Sequence, residues 1–270
     1  MYFLHSQEYW RNQKPPAGSW LDRTHPLSNG LVGCWLFNEN AGNVVYDVAK
    51  NSNSLVTSPA RVRTTGLFIS ASSGYVQTSN LTNFIAYNSP CTFVLNMLYA
   101  SGTTIFGKGT ATTMHPLRVT TNKFDISRNS SNTTYKRLSA TDVSVTRFQT
   151  WGASWNGVSA GANFHIYLNG QLNDGTSAGS GTITADATAW RIGAGNGGAA
   201  GALITYFYAW NRVLSASEIF AISTEPYQIV LPPEPSATVI DMGRYREMTS
   251  ESQIFFDNGE VGSTAFNKII

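Results

Sequence analysis

Three local signals follow one another in the stretch from Arg191 to Ile219, RIGAGNGGAAGALITYFYAWNRVLSASEI, and their order constrains the fold more than any other part of the chain. A short strand ends at Ile192, a Gly-rich connection follows, and Leu203 to Trp210 is a run of β-branched and aromatic residues that predicts a second strand. A helix starts at once: Ser215 is placed to cap the first turn and Glu218 to reach back to it, a capping box that stabilises the helix end by about 1 kcal/mol. Pro226 bars continuation, so the helix is predicted over roughly Ser215 to Ser223. Strict alternation along the second strand sets Thr205, Phe207 and Ala209 on one face and Ile204, Tyr206, Tyr208 and Trp210 on the other. Both faces are largely apolar, and one must be core. The bulkier one is core as well, or is covered by an arm of this chain or a neighbour, or is a stacking platform for sugar rings. Tyr206, Tyr208 and Trp210 are therefore candidates for a ligand or partner surface.

Strand-like segments recur from Leu31 to this point, among them Leu31 to Phe37, Val44 to Tyr46, Cys91 to Tyr99, Lys123 to Arg128, Phe148 to Trp155 and Phe164 to Leu168. Asn169-Gly170 between two of them predicts a tight hairpin, since both central residues of a type I′ turn need positive φ. Crossover helices are missing, which excludes a parallel α/β sheet and leaves an antiparallel sandwich. Only 13 % of the 270 residues are charged, and Ser, Thr, Asn and Gly abound, a composition suited to turn-rich β domains. A chain of this size hides roughly 70 to 75 % of its unfolded surface, so neither a disulfide nor a metal is required to hold it. Cys34 and Cys91 both fall in predicted strands, as two buried thiols or as a disulfide. The net charge of +2 without a Lys/Arg cluster argues against a nucleic-acid partner. No apolar run is long enough to span a membrane, and the first residues lack the features of a secretory signal, so a protein retained or assembled in the cytoplasm is expected.

Several motifs tempt and fail on context. Gly193 to Gly198 matches GxGxxG, but a strand follows it where dinucleotide binding needs a helix N-terminus. The two GxSxG matches, around Ser159 and Ser177, lie between strands, not at a strand-to-helix elbow. His165, the nearest imidazole, is expected to face solvent or cap a neighbour. Lys108 lacks the first glycine of a phosphate loop, and His5, His25, His115 and His165 are too scattered for a metal site. No two carboxylates alternate on one strand as a glucanase pair would. Asp47, followed by Asn51 and Asn53, has oxygen-rich surroundings that suit either a calcium ion or an Asx turn. No other cofactor is expected.

The order Gly30-Leu31-Val32-Gly33-Cys34-Trp35-Leu36-Phe37-Asn38-Glu39, Val45-Tyr46-Asp47, Gly74-Tyr75-Val76, Thr92-Phe93-Val94, Phe106 to Gly109, Trp151 to Gly157, Ile166 to Gly170 and Trp210 to Ser215 resembles the laminin G-like, or concanavalin A-like, jelly-roll superfamily. That resemblance implies an all-β, two-sheet antiparallel jelly-roll sandwich, in a family of carbohydrate- or protein-binding modules. Members commonly carry an aspartate near the start of the final strand, where this chain has Thr205. The flanks Trp20 to Val32 and Glu225 to Ile229 resemble laminin G-like virion proteins of tailed bacteriophages. The expected organisation is an extended N-terminal arm over 1–29, a sandwich over 30–230 and a C-terminal arm over 231–270 that opens with Pro232, Pro233 and Pro235. The resemblance implies a non-enzymatic virion structural protein, a capsid decoration or cementing subunit assembled in the host cytoplasm. Its arms would contact other virion proteins, capsid or self, in a homo-oligomer. The alternative is a fibre module that adheres to a host glycan.

Overall fold

The computed structural model describes residues 13–50, 52–57, 60–63, 65–70, 74–78, 89–108, 117–130, 133–158, 163–179, 189–195, 198–233, 256–257 and 260–261. The chain divides into two units, residues 1–233 and 234–270. In the second, the described residues form one two-stranded ladder, Phe256–Asp257 against Glu260–Val261. The apolar pairs Val239-Ile240, Ile254-Phe255 and Ile269-Ile270 lie outside the described residues, as do His5 and His115.

The first unit is a sandwich of two antiparallel sheets. One runs Leu31–Trp35, Gly198–Trp210, Cys91–Gly102, Gln149–Trp155, Phe164–Leu168 and Gln171–Leu172, with Gly66–Ile69 sharing the edge of the long strand beside Leu31–Trp35. The other runs Val44–Asp47, Ser52–Thr57, Tyr75–Gln77, Trp190–Ile192, Thr104–Lys108, Leu117–Thr120, Lys123–Ser130, Thr133–Asp142 and Asp174–Ala178. Between them, alternate residues of each strand make a continuous aromatic core. Trp151, Ala153 and Trp155 point in from one strand, Phe93, Leu95 and Met97 from the next, and Phe207 and Ala209 from the closing strand. Trp190 stacks on Phe106 at 4.8 Å and Trp151 on Phe124 at 4.9 Å.

The Asn169-Gly170 hairpin is present, with φ of 50° and 80° and Leu168 opposite Gln171. So is the capped helix, Ala216–Thr224, in which the Glu218 N–H donates to Ser215 Oγ and the Ser215 N–H to Glu218 Oε2. Gly193–Gly198 has no helix behind it: Ala194–Gly195 turns back to pair with Gly198–Ala199. The closing strand begins at Gly198, earlier than the predicted Leu203, because partners on both edges hold its small residues extended.

The outer face of the first sheet carries a second apolar layer. Leu21, Leu27, Ile219, Ile222, Ile229 and Val230 close over Cys34, Val94, Tyr208 and Trp210. Gly152 lets the helix sit directly on the sheet, since a Cβ there would lie 3.1 Å from Ile219 Cγ2. Leu21 and Leu27, expected within an extended arm over residues 1–29, belong to this layer: Trp20–Leu21 pairs with Val230–Leu231, and the Asp22 N–H donates to Ile229 O at 2.9 Å. Each fully buried side chain of this kind contributes about 1.5 to 3 kcal/mol, enough to fold an arm back onto its own domain. Cys34 lies in this outer layer and Cys91 in the inner core, and the two are not joined in a disulfide.

Candidate functional site

The outer layer seals only part of the sheet, and the break falls at an irregularity in the closing strand. Ile204 stands opposite Met97 and Tyr206 opposite Asn96, so Thr205 is an extra residue in the ladder, a β-bulge. The bulge corrects the alternation read from sequence. Ile204 turns inward with Phe207 and Ala209, while Tyr206, Tyr208 and Trp210 face out and Thr205 is displaced beside Tyr206. Gly66 makes the bulge possible: with φ of 151°, it lies where a Cβ would overlap the Ile204 carbonyl oxygen.

Of the readings open for Tyr206, Tyr208 and Trp210, as core, as covered by an arm, or as a ligand or partner surface, the structure excludes an exposed surface. They are 3 %, 0 % and 0 % exposed, under the helix and the segments around Leu27 and Ile229. Their polar tips are taken up inside the protein. Trp210 Nε1 donates to Leu27 O at 2.7 Å, and the Tyr208 hydroxyl donates to Pro226 O at 2.8 Å. Burial pushes the Tyr206 and Tyr208 phenols well above their ordinary range, so both stay protonated hydrogen-bonding groups.

Beside this sealed patch lies an open cleft of about 680 Å³. Its floor is a row across three strands: Thr150 stands directly opposite Asn96, and Asn96 opposite Tyr206, with the bulged Thr205 alongside. Thr205 Oγ1 donates to Asn96 Oδ1 at 2.9 Å, Asn96 Nδ2 donates to Thr150 Oγ1 at 3.1 Å, and the Thr150 and Tyr206 hydroxyls are 3.3 Å apart. Phe148, 44 % exposed, and Tyr227 add aromatic surface to the lining, together with Thr224, Pro226 and Lys14. Burial lowers the Lys14 ammonium to about 8, and its Nζ donates to Phe37 O at 2.8 Å. No carboxylate lines the cleft among the described residues. Paired hydroxyls and an amide supply both donors and acceptors to an uncharged ligand.

Asp47 is buried, and its Oδ1 accepts the Cys34 N–H at 2.9 Å and the Ala49 N–H at 3.0 Å, the second being the bond of an Asx turn. Burial pushes its carboxyl up to about 6 against the lowering effect of those bonds. Asn51 and the side chain of Asn53 lie outside the described residues, and among the described residues no group of three or more His, Cys, Asp or Glu could hold a metal ion. His165 caps a neighbour: its Nδ1 is 2.8 Å from Asp174 Oδ2, an oxygen that Arg137 also approaches at 3.3 Å.

A model of the concanavalin A-like lectin/glucanases superfamily matches residues 70–220, more than half of the chain and including the whole cleft floor. The chain belongs to that superfamily. Comparison with curated proteins finds no match. Among solved structures, the superfamily member is similar to the binding domain of Paraclostridial Mosquitocidal Protein 1, at 10 % identity and a TM-score of 0.55, over 74 % of this chain and 53 % of that one. It is also similar to the receptor binding domain of botulinum neurotoxin C/D mosaic serotype, at 13 % identity and a TM-score of 0.54, over 73 % and 52 % of the two chains. A third is a mutant of Trypanosoma rangeli sialidase displaying trans-sialidase activity, at 18 % identity and a TM-score of 0.51, over 83 % and 38 %. The chain thus spans between a third and about half of the solved chains it matches.

The sialidase neighbour corrects the expectation of a non-enzymatic protein, because a sandwich of this fold lies within a chain named as an enzyme. At these identities the likeness extends to the fold, and no catalytic residue is carried over. Reading from the sequence missed the cleft, because its floor residues Asn96, Thr150 and Thr205 sit on strands far apart in the chain. The available signal was Asn96 and Thr205, each a single polar residue interrupting the apolar run of its strand.

Proposed function

We propose that this sandwich is a binding module whose outer cleft holds an uncharged, hydroxyl-rich ligand, a glycan. One observation carries the reading: Thr205, Asn96 and Thr150 form a hydrogen-bonded row on largely apolar strands, where the covering layer stops. Polar side chains on such strands are costly unless satisfied, and here the row is left beside open space, where sugar hydroxyls can join it. Phe148 and Tyr227 in the same cleft supply ring faces suited to the apolar side of a pyranose. Two of the solved neighbours are themselves named as binding domains. A glycan array followed by titration tests the reading. A hit should weaken about tenfold or more in Asn96→Ala and in Phe148→Ala while the melting temperature barely moves. Binding at full strength in both variants, or no glycan bound at millimolar concentration, would sink it.

A second reading, compatible with the first, is a virion structural subunit that decorates or cements a capsid of a tailed bacteriophage. It draws on the resemblance of the Trp20–Val32 and Glu225–Ile229 flanks and on the division of the chain into a sandwich unit and residues 234–270. With residues 20–29 engaged in the outer layer, contacts to neighbouring subunits would fall mainly to residues 234–270. Removing those residues should leave the sandwich's thermal transition in place and weaken particle binding; undiminished particle binding would rule the reading out.

A further inference from the structure

A second cavity, of about 280 Å³, shares no lining residue with the outer cleft, and its lining includes Trp20, Tyr46, Ser19, Asn38 and Glu39. Its construction follows from the packed N-terminal segment. Asn38 Nδ2 donates to Pro15 O at 2.9 Å and Pro16 O at 2.8 Å, which clips residues 15–16 beside the Val44–Asp47 strand. That clip sets Trp20 and Tyr46 on the same small cavity. Both rings stay substantially exposed, Trp20 at 43 % and Tyr46 at 36 %, while every other tryptophan among the described residues is buried. Two polar groups there lack partners. Ser19 is 3 % exposed, and its hydroxyl has no hydrogen-bond partner. Glu39 Oε1 accepts the Tyr46 N–H at 2.7 Å, but Oε2 is shut off from solvent with nothing bonded to it. Among the described residues, Lys14 is the one basic group coupled to Glu39, and its ammonium is engaged by Phe37 O at 2.8 Å.

A carboxylate oxygen held out of water without a donor is costly, and two exposed aromatic side chains lining the same cavity offer π-systems to a cation there. A sugar hydroxyl could donate to that oxygen but would leave its negative charge uncompensated. We propose that the pocket between Trp20 and Tyr46 is a binding site for a small organic ammonium ion, its cationic head against the two rings and the charge of Glu39 opposite. The cavity has room for a trimethylammonium-sized group, and burial raises the Glu39 carboxyl, so a cation in the pocket favours the ionised form that burial otherwise penalises.

The test titrates the full chain with choline and, separately, with its uncharged carbon isostere 3,3-dimethylbutan-1-ol, following the Trp20 indole by fluorescence and heteronuclear NMR. Choline should bind about tenfold or more tightly than the isostere. That preference should vanish in Glu39→Gln, and choline binding should be lost in Trp20→Ala and in Tyr46→Leu. Tyr46 points outward from its strand, so the last variant keeps the proposal falsifiable if Trp20→Ala unfolds the N-terminal segment. Equal affinity for the two compounds, or choline binding unchanged in Glu39→Gln, overturns the proposal, as does the absence of any choline-dependent shift at Trp20.

Discussion

The two faces of one sheet, built from the same three strands, meet opposite fates. On the inner face, Phe93, Leu95, Trp151, Ala153, Phe207 and Ala209 are apolar along the whole strand length and pack against the second sheet. On the outer face the strands change character along their length: Val94, Tyr208 and Trp210 at one end are apolar and sealed, while Asn96, Thr150 and Thr205 at the other line a cleft. The difference teaches that a sandwich strand can store stability on one face and binding chemistry on the other. The bulge at Thr205 is where the outer face switches between the two.

The sharpest way to break the comparison is to truncate adjacent residues on opposite faces. Phe207→Ala opens a void among Trp35, Phe93 and Phe106 and should cost about 3 to 5 kcal/mol. Tyr208→Phe keeps the ring and loses only the hydroxyl bond to Pro226 O, at about 1 kcal/mol. Urea denaturation of both measures the ratio, and equal losses would mean that the outer layer is as much a core as the inner one.

The outer layer also shelters a carboxylate. Asp47 sits beside Val48 and Ala49, and burial raises it from an ordinary 3.8 to about 6. The folded state therefore holds this proton more tightly than the unfolded one. The stability it carries is complete below about pH 4 and is lost as pH rises through about 6. Asp47→Asn keeps an oxygen for the Cys34 and Ala49 N–H groups without the ionisation. It should be more stable than the parent at neutral pH by about 2 to 3 kcal/mol, with the advantage fading toward pH 4. Denaturation midpoints across that range check it, and a constant difference would assign the effect to something other than ionisation.

What was legible in the sequence was local. The capping box of Ser215 and Glu218, the Asn169-Gly170 turn and the apolar alternation of the inner face each involve residues within a few positions of one another, and the sandwich follows from them. The outer face was not legible, because its cover arrives from elsewhere: Trp210 meets Leu27 across 183 positions. Alternation alone could not choose between a cover and an open platform for Tyr208 and Trp210. The bulge was hidden for the same reason. An extra residue in one strand is defined only by its partner, so Ile204 was set with Tyr206 when Met97 and Asn96 across the ladder place it with Phe207.

Gly66→Ala tests whether the bulge itself maintains the boundary. The new Cβ would overlap the Ile204 carbonyl, and relief requires the Gly66–Ile69 strand or the bulge to shift. A loss of about 1 to 3 kcal/mol is expected, together with loss of ligand binding in the cleft, since Thr205 cannot hold its place beside Asn96. Ligand binding that survives the destabilisation would separate the cleft from the bulge.

The smallest stability effect should come from Thr205→Val, and it isolates the open half of the outer face. The substitution keeps the branched shape that suits a strand and removes only the hydroxyl that donates to Asn96 Oδ1 at 2.9 Å. Thr205 is half-buried beside the cleft, so solvent can replace the lost donor and the cost should stay below about 1 kcal/mol. The amide of Asn96 is then no longer anchored from the bulge side and can turn away from the orientation in which its Nδ2 meets Thr150. If the open half serves binding, affinity for a cleft ligand should fall several times further than stability does, the reverse of the pattern at Phe207. A Thr205→Val variant that binds as the parent does would show that the row of Thr205, Asn96 and Thr150 is structural, and the contrast between the faces would reduce to how completely each is covered.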